Sequence, residues 1–406
     1  MKRMALGLVA LAMVAAGCAA PQKASGTFGD DLAFLKQHTD VIVLSDKTGQ
    51  VQVAVAPLMQ GRVMTSTTGG AGGPSFGWIN RELIASGKKV PHMNAFGGED
   101  RFWIGPEGGQ FSVYFAKGVP FDLEHWFVPA VIDTEPFDIV AADRNAAKFR
   151  RRFELTNYSG TAFRVDANRE VRLLSADEAW GKLGVAPARG VQVAAYESIN
   201  RITNAGPDPW KKETGLLSIW ILGMFNPSPT ATVVVPIAAG PEADLGKPVV
   251  DDYFGKVPAA RLIVKDKVVF FSADGKCRTK IGFGPKRTKG ILGSYDATNK
   301  VLTLAQFTFD PKQTDYVNSL WKLQDNPFAG DVANSYNDGP PAPGAKPLGP
   351  FYELESSSPA AALEPGKSLE HVHRTIHMSG PEKELDAVAR ATLGVGIQDI
   401  VKAIPR

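Results

Sequence analysis

The chain has 406 residues, with 45 Lys and Arg against 42 Asp and Glu, and a formal charge of +3. No long single-sign run gathers the basic residues, which argues against a nucleic-acid partner, because phosphate-backbone binding needs a dense basic footprint. The 41 Gly and 29 Pro imply frequent turns and favour many short strands over long helices.

In chain order, Lys2 and Arg3 precede an apolar run from Met4 to Ala16. That run is shorter than the about 20 residues a membrane-crossing helix needs, and it reads as part of a signal peptide over residues 1–17. Ala15-Ala16-Gly17-Cys18 has the pattern of a bacterial lipobox, in which the cysteine becomes the lipidated amino terminus. An ordinary secretory peptide cut near Ala19-Ala20 is the plainer alternative. Residues 18–27 then form a polar tether. Ala19 rather than Asp after Cys18 points to the outer membrane of a Gram-negative envelope, with the protein facing periplasm or surface. Cys18 and Cys277 are the only cysteines. With Cys18 lipidated no internal disulfide can form, so the core must hold the fold.

Asp30 to His38 predicts a short helix started by Asp30 and Asp31. A hairpin follows, Val41 to Leu44 and Val51 to Ala56, then a strand from Gly61 to Thr67. Residues 68–77 form a glycine-rich loop without the Gly-Lys-Ser/Thr ending of a phosphate loop, and Trp78 to Ser86 predicts a helical turn. Alternating segments recur at Phe111 to Phe115, Lys148 to Thr156, Phe163 to Leu174, Val191 to Ile199, Leu216 to Phe225, Thr232 to Ile237, Arg261 to Phe271, Val301 to Phe309 and Phe351 to Glu355. Residues 338–350 read as an ordered loop. In the tail, residues 381–406, Leu385, Val388, Ala389 and Leu393 share one helical stripe, Gly394 caps it, and Ile397, Ile400 and Val401 suggest a second helix. No fixed-period repeat appears. The expected fold is all-β: one large antiparallel β-supersandwich over residues 28–380, followed by short C-terminal helices.

Three groups of residues are candidates for chemistry. His371, His373 and His377 would share one face of a strand with Thr375, and Glu353 and Glu355 one face of the strand before it. If these faces coincide, carboxylates and imidazoles converge, with Glu355 and His373 as an acid–base pair and Glu353, His371 and His377 as ligand contacts. Two imidazoles two residues apart also suit a divalent metal completed by Glu353 or Glu355, although no cofactor is expected. The second group runs from Phe96 to Gln110, where Arg101 offers a fork of donors, Asp100 and Glu107 acceptors, and Trp103 an apolar plate for a sugar ring. The third, Asp331 to Asp338, reads as a turn whose Asn337 suits a hydroxyl ligand or Ca²⁺. Trp126, Trp210 and Trp220 read as core.

The strings Phe96 to Gln110, Leu216 to Pro227, Asp251 to Pro258 and Phe351 to Ala360 resemble a family of bacterial lipoproteins that carries a domain of unknown function over nearly the whole mature chain. More broadly, the chain resembles the galactose mutarotase-like superfamily. That resemblance implies a β-supersandwich with a sugar on a concave face. It also implies a glutamate that takes the anomeric hydroxyl proton and a histidine that protonates the ring oxygen. Glu355 matches the base, and Arg101 matches an arginine near the sugar hydroxyls. The histidine-bearing segment corresponds to Leu222-Gly223-Met224-Phe225-Asn226 and holds no histidine, so His371, His373 or His92 would have to replace it. The expectation is an envelope-anchored carbohydrate-binding lipoprotein acting by epimerase-like Glu/His chemistry. A non-catalytic glycan-binding or scaffold lipoprotein is the alternative, and a metal-dependent polysaccharide lyase or hydrolase the weaker one.

Overall fold

The structure, a computed structural model, describes residues 26–342 and 344–406; the expected signal peptide and Cys18 lie outside the described residues. Among the described residues helix Phe28–His38 comes first, held by a reciprocal cap between Thr27 and Asp30, and packs on a three-stranded sheet of β1 (Ile42–Ser45), β2 (Gln52–Ala56) and β3 (Arg62–Thr67). After β4 (Arg101–Gly105) the chain runs through β5 (Asp138–Ala142), β6 (Ala146–Thr156), β7 (Ala162–Leu174), β8 (Gln192–Asn204), β9 (Ser218–Phe225) and β10 (Ala231–Pro236). It continues through β11 (Leu262–Val264), β12 (Val268–Ser272), β13 (Thr279–Phe283), β14 (Ile291–Asp296) and β15 (Val301–Phe307), and ends its strands with β16 (Ala333–Asn337), β17 (Tyr352–Ser357) and β18 (Ser368–Ser379).

Two further sheets make the sandwich. One has ten strands in the order β11-β12-β10-β14-β15-β18-β8-β7-β6-β5, and the other has five in the order β13-β16-β17-β9-β4. Neighbouring strands in both are antiparallel. The expected architecture, a large antiparallel sandwich with short C-terminal helices, is therefore the one found. Helices Glu382–Leu393 and Ile397–Ala403 set Leu385, Val388, Leu393, Ile397 and Ile400 against Ile376, Met378 and Leu304 of the ten-stranded sheet.

The alternation of β18 decides where its histidines go. Ile376 and Met378 face these helices, so His371, His373, Thr375 and His377 face the other way, into the layer between the sheets, and all four are buried. There His371 Nε2 and His373 Nδ1 each lie 2.8 Å from Ser356 Oγ, on β17. Ser356 is on the opposite face of its strand from Glu353 and Glu355. The expected convergence of carboxylates and imidazoles therefore fails: the five-stranded sheet stands between them.

Other segments differ as well. Phe111 to Phe115 is not a strand, because Ser112 N and Val113 N donate to the Gly109 and Pro106 carbonyls in local turns. Arg261 to Phe271 breaks into β11 and β12 at a turn closed by Lys265 N and the Val268 carbonyl. Residues 333–337, expected within a turn, form β16. Its Asn and Ser side chains are satisfied inside the fold: Ser335 Oγ donates to the Glu353 carbonyl at 2.7 Å, and Asn334 Nδ2 to Tyr253 Oη at 3.1 Å.

Burial holds the histidine pair neutral, pushing His371 down to about 3, aided by His373, and His373 down to about 4, with Asp100 opposing and Arg169 adding. An unfolded histidine titrates near 6.5. Above that pH both states are neutral and the full stability is present. As pH falls from about 6.5 toward 4, the unfolded chain binds protons that the folded one refuses, and stability is lost. Thermal unfolding should therefore show a midpoint that drops across this window, and His373→Gln should make the drop shallower. A variant with an unchanged slope would contradict the assignment.

Candidate functional site

The outer face of the five-stranded sheet carries a cavity of about 250 Å³. Its floor is built by register. Arg101 of β4 pairs with Leu222 of β9, which pairs with Glu355 of β17; one step along, Met224 pairs with Glu353, Glu353 with Tyr336 of β16, and Tyr336 with Lys280 of β13. Period-two alternation sends all of these side chains to one face. Gly97 and Gly98, with φ of 97° and 108°, swing the chain into β4. A Cβ on Gly97 would lie 2.1 Å from the Trp78 carbonyl oxygen. Beyond β4, Pro106 follows a cis peptide bond and Glu107 stands on the cavity wall.

Lys280 organises the charge. Its Nζ lies 2.9 Å from Glu355 Oε2, which also accepts from Trp220 Nε1 at 2.9 Å. The ammonium sits 4.7 Å from the Trp220 ring centre, a cation–π contact. Burial alone would push Lys280 down, but Glu355, Glu107 and Glu353 together raise it, so the floor keeps its positive charge. Arg101 pairs with Glu353, and its guanidinium lies 4.9 Å from the Trp103 ring centre. Burial raises Glu353, opposed by Arg101. Glu107 is pushed up to about 7, by burial first, with Lys280 opposing and Glu355 adding to the shift. Beside them Asp331 is raised to about 6 by burial, opposed by its bond from Tyr253. Gly282 makes room for it: a Cβ there would stand 2.0 Å from Asp331 Oδ2.

Four tryptophans line the cavity: Trp103, Trp126, Trp220 and Trp321. Trp103 and Trp220 meet edge-on at 5.6 Å, and Trp126 and Trp321 stack at 5.6 Å. Four buried atoms here have no protein partner: the donors Arg101 Nε, Trp103 Nε1 and Trp126 Nε1, and the acceptor Glu355 Oε1. Aromatic plates beside Arg101, Lys280, Glu353 and Glu107 suit a ligand with apolar faces and hydroxyl groups.

Of the residues expected from sequence, Arg101, Trp103, Glu107 and Glu353 line this cavity. Glu355 lies beneath it, fully buried and used as the counter-ion of Lys280. His371 and His373 bond Ser356 on the far side of the sheet, so His373 cannot partner Glu355, and neither imidazole can share a metal with Glu353 or Glu355. Among the described residues, no group of three His, Cys, Asp or Glu side chains is gathered as a metal site would need. His377 accepts or donates to Thr303 Oγ1 at 2.9 Å and Glu99 Oε2 at 3.0 Å, against Phe76, in the same inner layer. Asp100 also turns inward, into a fully buried pair with Arg169 at 2.6 Å. Asn337 faces away from the cavity and bonds the turn before β13, taking Gly275 N at 2.9 Å and giving to the Cys277 carbonyl at 2.9 Å. His92 Nδ1 is bonded to the Trp126 carbonyl at 2.6 Å. Lys280, Trp126, Trp220 and Trp321 were not legible as site residues. A lone lysine in a five-residue strand and scattered tryptophans look the same whether they line a pocket or pack a core. Trp210 is core, edge-on to Phe163.

Fold and cavity together define a two-sheet antiparallel β-sandwich with an aromatic, charge-floored pocket on the outer face of its smaller sheet. The chain belongs to a family of unknown function (DUF6786), matched over residues 26–404. Comparison with curated proteins found no match. Among solved structures it is similar to a protein from Synechocystis, at 12% identity and a TM-score of 0.49, over 84% of this chain and 96% of the other. It is also similar to a galactose mutarotase related enzyme from Lactobacillus acidophilus (9%, 0.44, 84% and 97%) and a galactose mutarotase-like protein from Lactobacillus casei (11%, 0.43, 84% and 100%). Likeness at this level assigns no activity, and the chemistry has to come from the pocket.

Removing Lys280 would strand a buried carboxylate. Lys280→Met should therefore cost about 3–5 kcal/mol, the usual penalty for breaking a buried pair from one side. Adding Glu355→Gln should restore much of it. Denaturant unfolding of the two single variants and the double variant checks this: simple additivity would refute the pairing.

Proposed function

We propose that the pocket over the five-stranded sheet binds a carbohydrate. The observation that carries this reading is the combination of four tryptophan plates with the charged groups Arg101, Lys280, Glu353 and Glu107 around one cavity. A sugar presents C–H faces to such plates and hydroxyls to such charged groups. Arg101 and Glu353 would bond adjacent hydroxyls, and Glu107 would reach a third. Titration with mono- and oligosaccharides, followed by tryptophan fluorescence, tests it. Arg101→Met and Trp103→Ala should each weaken binding at least tenfold, and unchanged affinity in both would overturn the reading.

Glu107 favours a second step, acid–base chemistry of the epimerase kind. A carboxyl poised near 7 is present in both protonation states at neutral pH, and can take a proton from an anomeric hydroxyl or return one to a ring oxygen as the ring carbon–oxygen bond opens. This role replaces the Glu355–His373 pair. Anomer exchange followed by NMR should fall by roughly 10²–10⁴ in Glu107→Gln if Glu107 carries the proton. Exchange at the rate of the uncatalysed reaction in both proteins leaves a binding protein without turnover.

The lipobox-like Ala15-Ala16-Gly17-Cys18 supports placing this pocket in the bacterial envelope on a lipid anchor at Cys18. Cys18→Ala should move the protein from the membrane to the soluble fraction of the cell. Equal membrane association in both would rule the anchor out.

A further inference from the structure

The pocket changes character from floor to mouth. Its charged groups, Arg101, Lys280, Glu353 and Glu107, stand on the sheet or beside it. Its outermost lining brings together Leu123, Phe254 and Leu348, which are 52%, 38% and 48% exposed and come from three separate loops, with Lys346 and with Arg278, whose guanidinium lies 3.9 Å from the Phe254 ring centre. Large exposed apolar side chains are scattered singly on most surfaces. Ten occur among the described residues, and three of them meet at this one opening.

Size sharpens the point. Pockets for drug-sized ligands are about 300–1,000 Å³, and this one, at about 250 Å³, holds little more than a single sugar ring. Whatever is attached to that ring must cross the mouth. A second sugar would lay part of its surface against Leu123 and Leu348, where hydroxyls lose water without gaining partners, and only Arg278 and Lys346 offer donors there. A hydrocarbon group crossing the same mouth would instead cover exposed apolar surface, which is favourable.

We propose that the occupant is a glycoside with an apolar aglycone, alkyl, acyl or aryl: the sugar ring sits on the charged floor and the aglycone lies across the Leu123–Phe254–Leu348 mouth. This rests on the sugar-binding reading above and narrows it to a ligand class; a glycoside has no free anomeric hydroxyl, so the anomer exchange assigned to Glu107 belongs to the unsubstituted sugar and not to this occupant. An unsubstituted oligosaccharide is the competing occupant.

The test compares methyl and hexyl glycosides of glucose, galactose and mannose, with hexanol and the matching disaccharides, by calorimetry on the full chain. Each methylene buried is worth about fourfold in affinity, so the preferred hexyl glycoside should bind at least tenfold tighter than its methyl counterpart. The double variant Leu123→Ser/Leu348→Ser should lose that increment while keeping the methyl glycoside affinity, which also shows that the variant is folded. Equal affinity for methyl and hexyl glycosides, or tighter binding of a disaccharide than of the hexyl glycoside, would overturn the proposal and leave the sugar reading intact. Hexanol binding as tightly as the hexyl glycoside, or no binding of any glycoside, would overturn both.

Discussion

The arrangement depends on keeping Lys280 charged inside the protein. An ammonium taken out of water carries a desolvation penalty of several kcal/mol, repaid only by close counter-charges and good geometry. Glu355 supplies the first at 2.9 Å, Trp220 steers that carboxylate through its indole N–H, and the Trp220 ring lies under the ammonium. Glu107 and Glu353 add to the field that raises Lys280. These groups are therefore not independent. Glu355 is committed to neutralising the floor, and Glu107, which shares Lys280 less closely and lies on the wall, is left near the pH at which a proton can move either way.

One strand separates this chemistry from the fold's polar interior. Along β17, Glu353 and Glu355 point to the pocket while Ser356 points between the sheets, where it joins His371 and His373. The interior layer continues through His377, Glu99 and Tyr196, and through the fully buried Asp100–Arg169 pair. Those groups find their partners within the protein and fasten the two sheets. Two ring nitrogens of that layer, His371 Nδ1 and His373 Nε2, have no partner, and neither do an arginine nitrogen and two indole N–H groups on the pocket side. What separates the two faces is open space: the outer face carries a cavity lined by four tryptophans and charged side chains, and the histidines of the inner layer are packed between the sheets.

Much of this was legible in the sequence. Period-two alternation placed the glutamates and histidines on single faces of their strands, and the turn residues and caps located the hairpins and terminal helices. What alternation could not convey was which face of β17 meets which face of β18, because that relation is set by stacking of sheets whose strands lie far apart in the chain. β4 was hidden for a related reason. Arg101 to Gly105 is buried on both faces, so it shows no alternation, and glycines on either side make it look like a loop. β16 was read as a turn from its asparagines, which sit in a strand only because Tyr253 and the turn before β13 satisfy them. Lys280 gave no signal at all: its role exists only once Glu355 and Glu107 have been brought together from 75 and 173 residues away.

The central claim is that ligand chemistry belongs to the outer face of the five-stranded sheet and not to the histidine layer beneath it. A crystal structure of the protein with a bound glycoside tests this most directly. The account predicts a sugar ring against the tryptophans, with hydroxyls within hydrogen-bonding distance of Arg101 and Glu107. A sugar lodged against His371 or His373, or bound away from Arg101, Glu107 and the four tryptophans, would contradict it.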